Sequence, residues 1–212
     1  MTWADKYVRA GTPLLHAALE RLIASAEIET GTRVDADGAH RKGYALPRLA
    51  GAERLIAAKV RMLSSFADAT PLLVTDAQID ELEKSEELTF DDSQRRAIKG
   101  SLEEHVTVLT GNPGTGKTTI VRAILDIAEA RGLSIALASP TGRAAKRLSE
   151  ATGRPASTIH RWLRYHPFEG FKGPESLPEL LVVDEASMVS TPLLARVCEA
   201  VRPDARLVLI GD

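Results

Sequence analysis

Residues 106–119 of the sequence (VTVLTGNPGTGKTT) place a glycine-rich turn, a lysine and two threonines directly after a short apolar run. The spacing is that of the phosphate loop G-x-x-x-x-G-K-[ST], and the matching residues are Gly111, Gly116, Lys117 and Thr118. Glycines allow consecutive backbone N–H groups to point into one concavity, and a helix that begins there adds the positive end of its dipole. The stretch therefore predicts a binding site for the phosphates of a nucleotide.

The residues of this turn have separate expected roles. Lys117 is expected between the β- and γ-phosphates, and the hydroxyl of Thr118 is expected to coordinate Mg²⁺. Further contacts with the nucleotide are predicted from Gly111, Asn112, Pro113, Gly114, Thr115, Gly116 and Thr119. The predicted cofactors are ATP and Mg²⁺.

Two adjacent carboxylates follow a second apolar run, in residues 180–187 (LLVVDEAS). Asp184 suits Mg²⁺, mostly through the water shell of the ion, because Mg²⁺ gives up its water reluctantly. Glu185 can polarise the water that attacks the γ-phosphorus. This pair favours hydrolysis over the transfer of phosphate to a small acceptor by a phosphate-loop kinase. The alternative is a strand that merely ends in a solvated acidic pair.

The elements that position these groups alternate regularly along residues 88–212. Apolar runs predict strands at 106–109, 134–138, 180–183 and 206–210, and amphipathic segments predict helices at 117–131, 141–151 and 157–165 and from Thr191. Residues 167–178 are predicted to form a loop. This alternation is typical of a parallel α/β sheet covered by helices on both faces, whose ligands bind at the carboxyl ends of the strands.

The first 87 residues are predicted to form a separate, mainly helical domain. A helix is expected from Thr12 to about Ser25, then a β-hairpin, then a helix from Ala52 to about Ala67, an order that suggests a winged-helix-like module. Residues 69–89 are predicted to form the hinge to the second domain. The module holds eleven Lys or Arg and fourteen Asp or Glu, which favours a scaffold or docking role over DNA binding.

The whole chain has 212 residues, a net charge of −2 and 44% hydrophobic residues, an ordinary composition for a globular protein. It has no apolar run long enough to span a bilayer and no signal-peptide core at its start, so we expect a cytoplasmic protein without membrane contact. The single cysteine, Cys198, lies in an apolar helical pattern and is expected in the core. Residues 140–172 hold seven Lys or Arg against two Glu, and a solvated basic face and contact with a phosphate backbone both explain this charge.

Six segments, in this order, resemble the motifs of superfamily 1 DNA helicases. They are most similar to those of the RecD-like group, the relatives of the exodeoxyribonuclease V alpha subunit. The segments are LTFDDSQRRAI, GNPGTGKTT, ASPTGRAAKRL, STIHRWL, LVVDEASMV and VLIGD, all within residues 88–212. The resemblance implies a RecA-like motor domain that couples ATP hydrolysis to 5′ to 3′ movement on single-stranded DNA. It also suggests recombination or repair proteins as partners.

Further site residues follow from this resemblance. It implies that Gln94 contacts the adenine, whereas the residues alone favour a surface position on a helix. It places single-stranded DNA along Ser139, Pro140, Thr141, Gly142 and Arg143. His160 and Trp162 either stack on bases or pack beneath the strand, and packing is favoured for Trp162.

The last residue, Asp212, belongs by the same resemblance to a motif that reaches the γ-phosphate. In the family the chain continues with a second RecA-like domain, whose arginines complete the ATP site. We therefore expect the 212 residues alone to bind nucleotide with slow or undetectable hydrolysis and not to unwind DNA. The main alternative is a nucleotide-gated, non-catalytic module for DNA binding or docking.

Overall fold

The computed structural model describes residues 12–34, 37–67, 72–112 and 114–211. Their contacts divide the chain into two compact units, 1–54 and 55–212. This boundary lies within a helix, and the domain division between residues 87 and 88 stays a prediction.

The first unit has the predicted order of a helix, a hairpin and the start of a second helix. Its elements are helix α1 (Thr12–Ala24), the antiparallel strands β1 (Glu29–Val34) and β2 (His40–Ala45), and the first turns of helix α2 (Pro47–Ser64). Helix α2 begins before the predicted Ala52 because proline suits the first turn of a helix, where its missing N–H is not needed. An ion pair of 2.8 Å between Arg54 and Glu29 joins α2 to the hairpin.

Two capped helices precede the sheet of the second unit. Helix α3 (Asp76–Ser85) starts with a capping box formed by Thr75 and Gln78, and helix α4 (Asp92–Glu103) starts with one formed by Asp91 and Gln94. The guanidinium of Arg95 pairs with Asp80 at 2.6 Å and with Glu83 at 2.5 Å. Because Asp80 and Glu83 lie on α3, these pairs anchor the start of α4.

The remaining elements follow in the alternation that the sequence predicts. The strands are β3 (Val106–Thr110), β4 (Ile135–Ser139), β5 (Ala156–Thr158), β6 (Tyr165–His166), β7 (Gly170–Phe171), β8 (Leu180–Val183) and β9 (Arg206–Gly211). The helices are α5 (Lys117–Ala130), α6 (Gly142–Thr152), α7 (Ile159–Trp162) and α8 (Thr191–Ala200), with a 3₁₀ turn at Ala186–Met188.

Five of these strands form one parallel sheet in the order β3-β9-β8-β4-β5. The register sets Thr110 opposite Gly211, and Val183 opposite both Ala138 and Leu209. The carboxyl ends of β3, β9, β8 and β4 therefore meet at one edge of the sheet, where the sequence predicts the ligands.

Strand β8 lies at the centre of the core, and all four of its side chains are fully buried. Leu180 and Val182 pack into a cluster that includes Ile124 of α5. The alternate residues Leu181 and Val183 pack into a second cluster with Val197 of α8. The structure thus confirms the predicted sheet with helices on both faces.

The helix predicted over 157–165 is wrong in its first part. Residues Ala156–Thr158 instead form β5, with Thr158 opposite Ser139 at the edge of the sheet. A strand of three residues is too short to show a periodicity, and Thr158 serves both elements. Its hydroxyl accepts a hydrogen bond from the N–H of Arg161 at 3.2 Å and so caps α7. The predicted loop at 167–178 also contains part of a small hairpin, β6–β7.

Two further expectations concern membrane contact and the single cysteine. Within that part of the chain, no helix is long and apolar enough to cross a membrane. Cys198 is buried in α8, as predicted, and burial raises the pKa of its thiol to about 11.

Candidate nucleotide-binding site

Both chemical motifs open into one cavity at the carboxyl edge of the sheet. The cavity has a volume of about 570 Å³, and its lining includes Lys117, Thr118, Asp184 and Glu185. An adjoining cavity of about 560 Å³ shares these four residues and extends to Gly116. The structure therefore brings together the phosphate loop and the carboxylate pair, which are far apart in the sequence.

The loop conformation requires glycine at Gly116. This residue has φ of 82°, which strains any residue with a side chain, and a Cβ there would also lie 2.7 Å from Nε2 of Gln94. A Cβ at Gly111 would lie 2.8 Å from Oγ1 of Thr115, so the side chain of Thr115 would have to shift. The conformation of the loop therefore depends on glycine most strongly at Gly116.

Lys117 and Thr118 begin helix α5 directly after the loop. The Nζ of Lys117 donates a hydrogen bond to the C=O of Gly111, which folds the side chain back over the loop. The first bond of the helix runs from the N–H of Ile120 to the C=O of Gly116 at 3.0 Å. The backbone N–H groups at the start of the helix, before Ile120, lie outside this pattern of helical hydrogen bonds. At any helix start such groups can donate hydrogen bonds to a bound anion.

Gln94 lies beside the loop, and both ends of its amide are engaged within the protein. Its Oε1 accepts a hydrogen bond from the N–H of Asp91 at 3.0 Å, and its Nε2 donates to the C=O of Thr115 at 3.2 Å. Gln94 thus links the anchored start of α4 to the phosphate loop. Its contact with adenine stays a prediction, and the link to Thr115 is one that sequence reasoning missed.

The carboxylate pair lies where β8 turns into the 3₁₀ segment. The N–H of Asp184 donates to the C=O of Ala138 at 2.9 Å, which fixes it against β4. Burial raises the pKa of the Asp184 carboxyl above its ordinary 3.8, and the charge of Glu185 adds to this rise. Glu185 has φ of 55° and ψ of 40°, a left-handed conformation that costs a residue with a side chain about 1–2 kcal/mol. Strain of this kind concentrates at functional sites.

The cavity offers few metal-binding side chains, and these suit Mg²⁺ better than a metal ion whose ligands all come from the protein. In the described part of the chain, no group of three or more His, Cys, Asp or Glu residues could hold a metal ion. The cavity instead offers the hydroxyl of Thr118 and the carboxylate of Asp184. This is the usual donor set for an Mg²⁺ that takes its other ligands from phosphate oxygens and water.

Arg147 also reaches the cavity, and sequence reasoning did not single it out. It lies on α6, lines both adjoining cavities, and its Nη2 is 4.0 Å from Oε1 of Glu185. Its position in ASPTGRAAKRL could have indicated this. Arg147 follows Arg143 by four residues, which places both arginines on the same side of the helix.

The segment predicted to contact DNA ends β4 and begins α6. The side chain of Ser139 is fully buried, whereas Thr141, Gly142 and Arg143 are exposed. The Oγ1 of Thr141 accepts from the N–H of Ala144 at 3.2 Å and so caps α6. The surface that this segment offers to a ligand therefore consists of its exposed residues, and its contact with DNA stays a prediction.

An aromatic group lies beyond this segment, around the small hairpin. The exposed ring of His160 has its centroid 5.5 Å from that of Tyr165 and 5.8 Å from that of Phe171. Trp162 is partly buried and packs against the second core cluster. Phe168, which the sequence reasoning did not single out, is 93% exposed between β6 and β7.

Two predicted site residues, Pro113 and Asp212, lie outside the described residues. The other predicted phosphate-loop residues extend from Gly111 to Thr119, and their roles toward a nucleotide remain predictions.

Comparison with known families decides the assignment. Residues 89–212, more than half of the chain, match an AAA domain. The chain belongs to this AAA domain family.

Relatives of this AAA domain include DNA helicases. The ATP-dependent RecD2 DNA helicase of Deinococcus radiodurans is 40% identical over 170 residues, which are 79% of this chain and 23% of the relative. The RecBCD enzyme subunit RecD of Mycobacterium tuberculosis is 47% identical over 147 residues, and the match covers 57% of this chain and 26% of the relative. These relatives confirm the resemblance to RecD-like helicases, and this chain spans about a quarter of their length.

Solved structures that are similar to this AAA domain include a Pif1 helicase from Candida albicans. It has a TM-score of 0.46 and 21% sequence identity, and the match covers 59% of this chain and 33% of the helicase chain.

Proposed function

We propose that this AAA domain is the ATP-binding, first RecA-like motor domain of an ATP-dependent 5′ to 3′ DNA helicase of the RecD-like group. The observation that carries the proposal is the common cavity of Lys117, Thr118, Asp184 and Glu185. The RecD-like relatives support a helicase, whereas the direction of movement comes from the motif resemblance alone. Residues 1–87 would form the separate module before this motor domain.

The geometry supports hydrolysis of ATP by an activated water. The water attacks the γ-phosphorus and passes its proton to the carboxylate of Glu185, and the bond from the γ-phosphorus to the bridging oxygen breaks to leave ADP and phosphate. Lys117 holds the phosphates against the loop. Mg²⁺, held by Thr118 and Asp184, would neutralise charge on the phosphate oxygens. A second RecA-like domain would supply the arginines that complete the site.

Single-stranded DNA is the proposed second ligand. The exposed start of α6, with Thr141 and Arg143, offers a hydroxyl, an N-terminal helix end and a cation to a phosphate backbone. The aromatic group around His160 offers rings on which bases can stack. Recombination or repair proteins would be further partners, by the kinship with a RecBCD subunit.

A matched pair of variants tests the proposal in the full-length protein. Glu185→Gln should lower DNA-stimulated phosphate release by about 10²- to 10⁴-fold, the usual worth of a general base, with little change in nucleotide affinity. Glu199→Gln is the control, because Glu199 is an exposed carboxylate of α8 that pairs with Arg196 at 2.8 Å and does not line the cavity. It should keep the wild-type rate. Undiminished turnover in Glu185→Gln would show that Glu185 is not the group that activates the water, whereas a wild-type protein without DNA-stimulated phosphate release would favour the non-catalytic, nucleotide-gated module.

The 212-residue chain by itself gives a second test. It should bind a fluorescent ATP analogue but release phosphate slowly or not at all, because the arginines of a second domain are worth several orders of magnitude in rate. Strong DNA-stimulated hydrolysis by this chain would contradict the proposed need for a second domain.

A further inference from the structure

Helix α6 joins the exposed segment at the end of β4 to the carboxylate pair at the end of β8. Its first residues, Gly142 and Arg143, belong to the segment that we assign to DNA, and one turn later Arg147 faces Glu185 across the cavity. A spacing of four residues is about 6 Å along a helix. One rigid element therefore touches both the proposed DNA surface and the group proposed to activate water.

We propose that Arg147 is a positioning residue that restrains Glu185 in the resting site, and that single-stranded DNA at the start of α6 releases it. The inference rests on the proposed function, since it concerns the regulation of the same hydrolytic site. In the resting state the guanidinium of Arg147 competes for the carboxylate oxygen that must accept the proton of the attacking water. DNA that pulls on the start of α6 withdraws this competitor.

The distance between the two side chains suits a contact that breaks easily. Nη2 of Arg147 lies 4.0 Å from Oε1 of Glu185, at the outer limit of an ion pair. Helices that take part in switching move by about 1–2 Å, and a movement of this size away from Glu185 would separate the pair.

Glu185 is less able to move than Arg147. Its backbone is held in the left-handed conformation between β8 and the 3₁₀ turn, whereas the side chain of Arg147 is 65% exposed. Release of the pair therefore depends on α6 and Arg147, and leaves Glu185 in the place where the water is activated.

The neighbouring residue supplies a matched control. Lys146 carries the same charge on the same helix, but its Nζ lies 3.6 Å from Oε1 of Glu150, one turn farther along α6. A substitution of Lys146 removes one positive charge from α6 without touching the pair of Arg147 and Glu185.

The test measures phosphate release by the full-length protein at saturating ATP, with and without saturating oligothymidylate. Arg147→Gln should raise the DNA-free rate by about fivefold or more, the lower range of coupling between two sites, and leave the DNA-saturated rate unchanged. The stimulation by DNA should fall by the same factor. Lys146→Gln should keep the wild-type DNA-free rate, and Arg147→Lys should restore part of the restraint.

Two results for Arg147→Gln would overturn the inference. An unchanged DNA-free rate would mean that Arg147 does not restrain Glu185. A fall in both the DNA-free and the DNA-saturated rate would mean that Arg147 itself acts on the phosphates. Failure of the proposed function would be distinct, because the wild-type protein would then show no DNA-stimulated phosphate release at all.

Discussion

Replacing Gly116 with alanine tests the phosphate loop most directly, because two separate costs can be read from its surroundings. An alanine at φ of 82° costs about 1–2 kcal/mol as a left-handed residue. The new Cβ, 2.7 Å from Nε2 of Gln94, would also displace the hydrogen bond from Gln94 to Thr115, which contributes about 0.5–1.5 kcal/mol. Together these amount to about 1.5–3.5 kcal/mol, or about 10- to 300-fold in an equilibrium constant.

We expect this cost to appear in nucleotide affinity more than in the free energy of unfolding. The tip of the loop is exposed at Gly114 and Thr115, so an unliganded loop can relax to another conformation. Bound phosphates require the loop to keep its conformation, with Gly116 at positive φ. Titration of the 212-residue chain with a fluorescent ATP analogue measures the affinity, and urea unfolding measures the stability.

Two controls separate the costs. Gly114 has a similar φ of 84° but open space around it, so Gly114→Ala should carry only the conformational part, about 1–2 kcal/mol. In a Gln94→Ala background the contact is already gone, and Gly116→Ala should then cost the same as Gly114→Ala. Wild-type affinity in Gly116→Ala would refute the reasoning, and equal losses for both glycines in the wild-type background would refute the part assigned to Gln94.

Three further predictions concern the scaffold of the site. Arg154→Ala should lower the free energy of unfolding by about 2 kcal/mol in urea at neutral pH, because Arg154 donates charged hydrogen bonds of 2.6 Å to Asp126 and Glu129 of α5. Arg154 lowers the pKa of the Glu129 carboxyl below its ordinary 4.5. The stabilisation by this ion pair is therefore present above about pH 4.5 and is lost as the pH falls through the lowered pKa. In that pH range the free energies of unfolding of the wild type and of Arg154→Ala should converge. Leu181→Ala should lower the free energy of unfolding by about 2–5 kcal/mol, because Leu181 is fully buried at the centre of the sheet, and unfolding at a wild-type urea concentration would contradict this. Cys198, whose pKa is raised to about 11 by burial, should resist alkylation by iodoacetamide at pH 8 in the folded chain and react once urea unfolds it.

The sequence predicts the central strands well because they are buried on both faces. Such strands are continuous apolar runs, as at residues 180–183, where Asp184 marks the end of the strand. The start of α6 is also predicted correctly, because Thr141 caps it. The errors occur where an element is very short, as with β5, or where a proline starts a helix before its predicted first residue, as at Pro47.

The site is predictable to the extent that its chemistry is local in sequence. The phosphate loop and the carboxylate pair each occupy a few consecutive residues, so their motifs are visible without a structure. The contacts of Gln94 with Thr115 and of Arg147 with Glu185 depend on how α4 and α6 pack against the sheet. No spacing within the sequence reports such contacts, because they are set by the order of the strands and the tilt of the helices.

Gly211, at the end of β9, is a motif residue whose close packing calls for glycine, and the spacing of the motif does not reveal this. A Cβ at Gly211 would lie 3.3 Å from the backbone N of Ser187 and 3.5 Å from its Cβ. Ser187 belongs to the 3₁₀ turn that immediately follows Glu185, and this turn holds Glu185 in its left-handed conformation. A Cβ at position 211 would therefore fit only if the backbone of this turn shifted by a few tenths of an ångström. Glycine at the end of β9 thus lets the turn beside the carboxylate pair pack closely against the neighbouring strand, independently of any contact that Gly211 makes with a nucleotide.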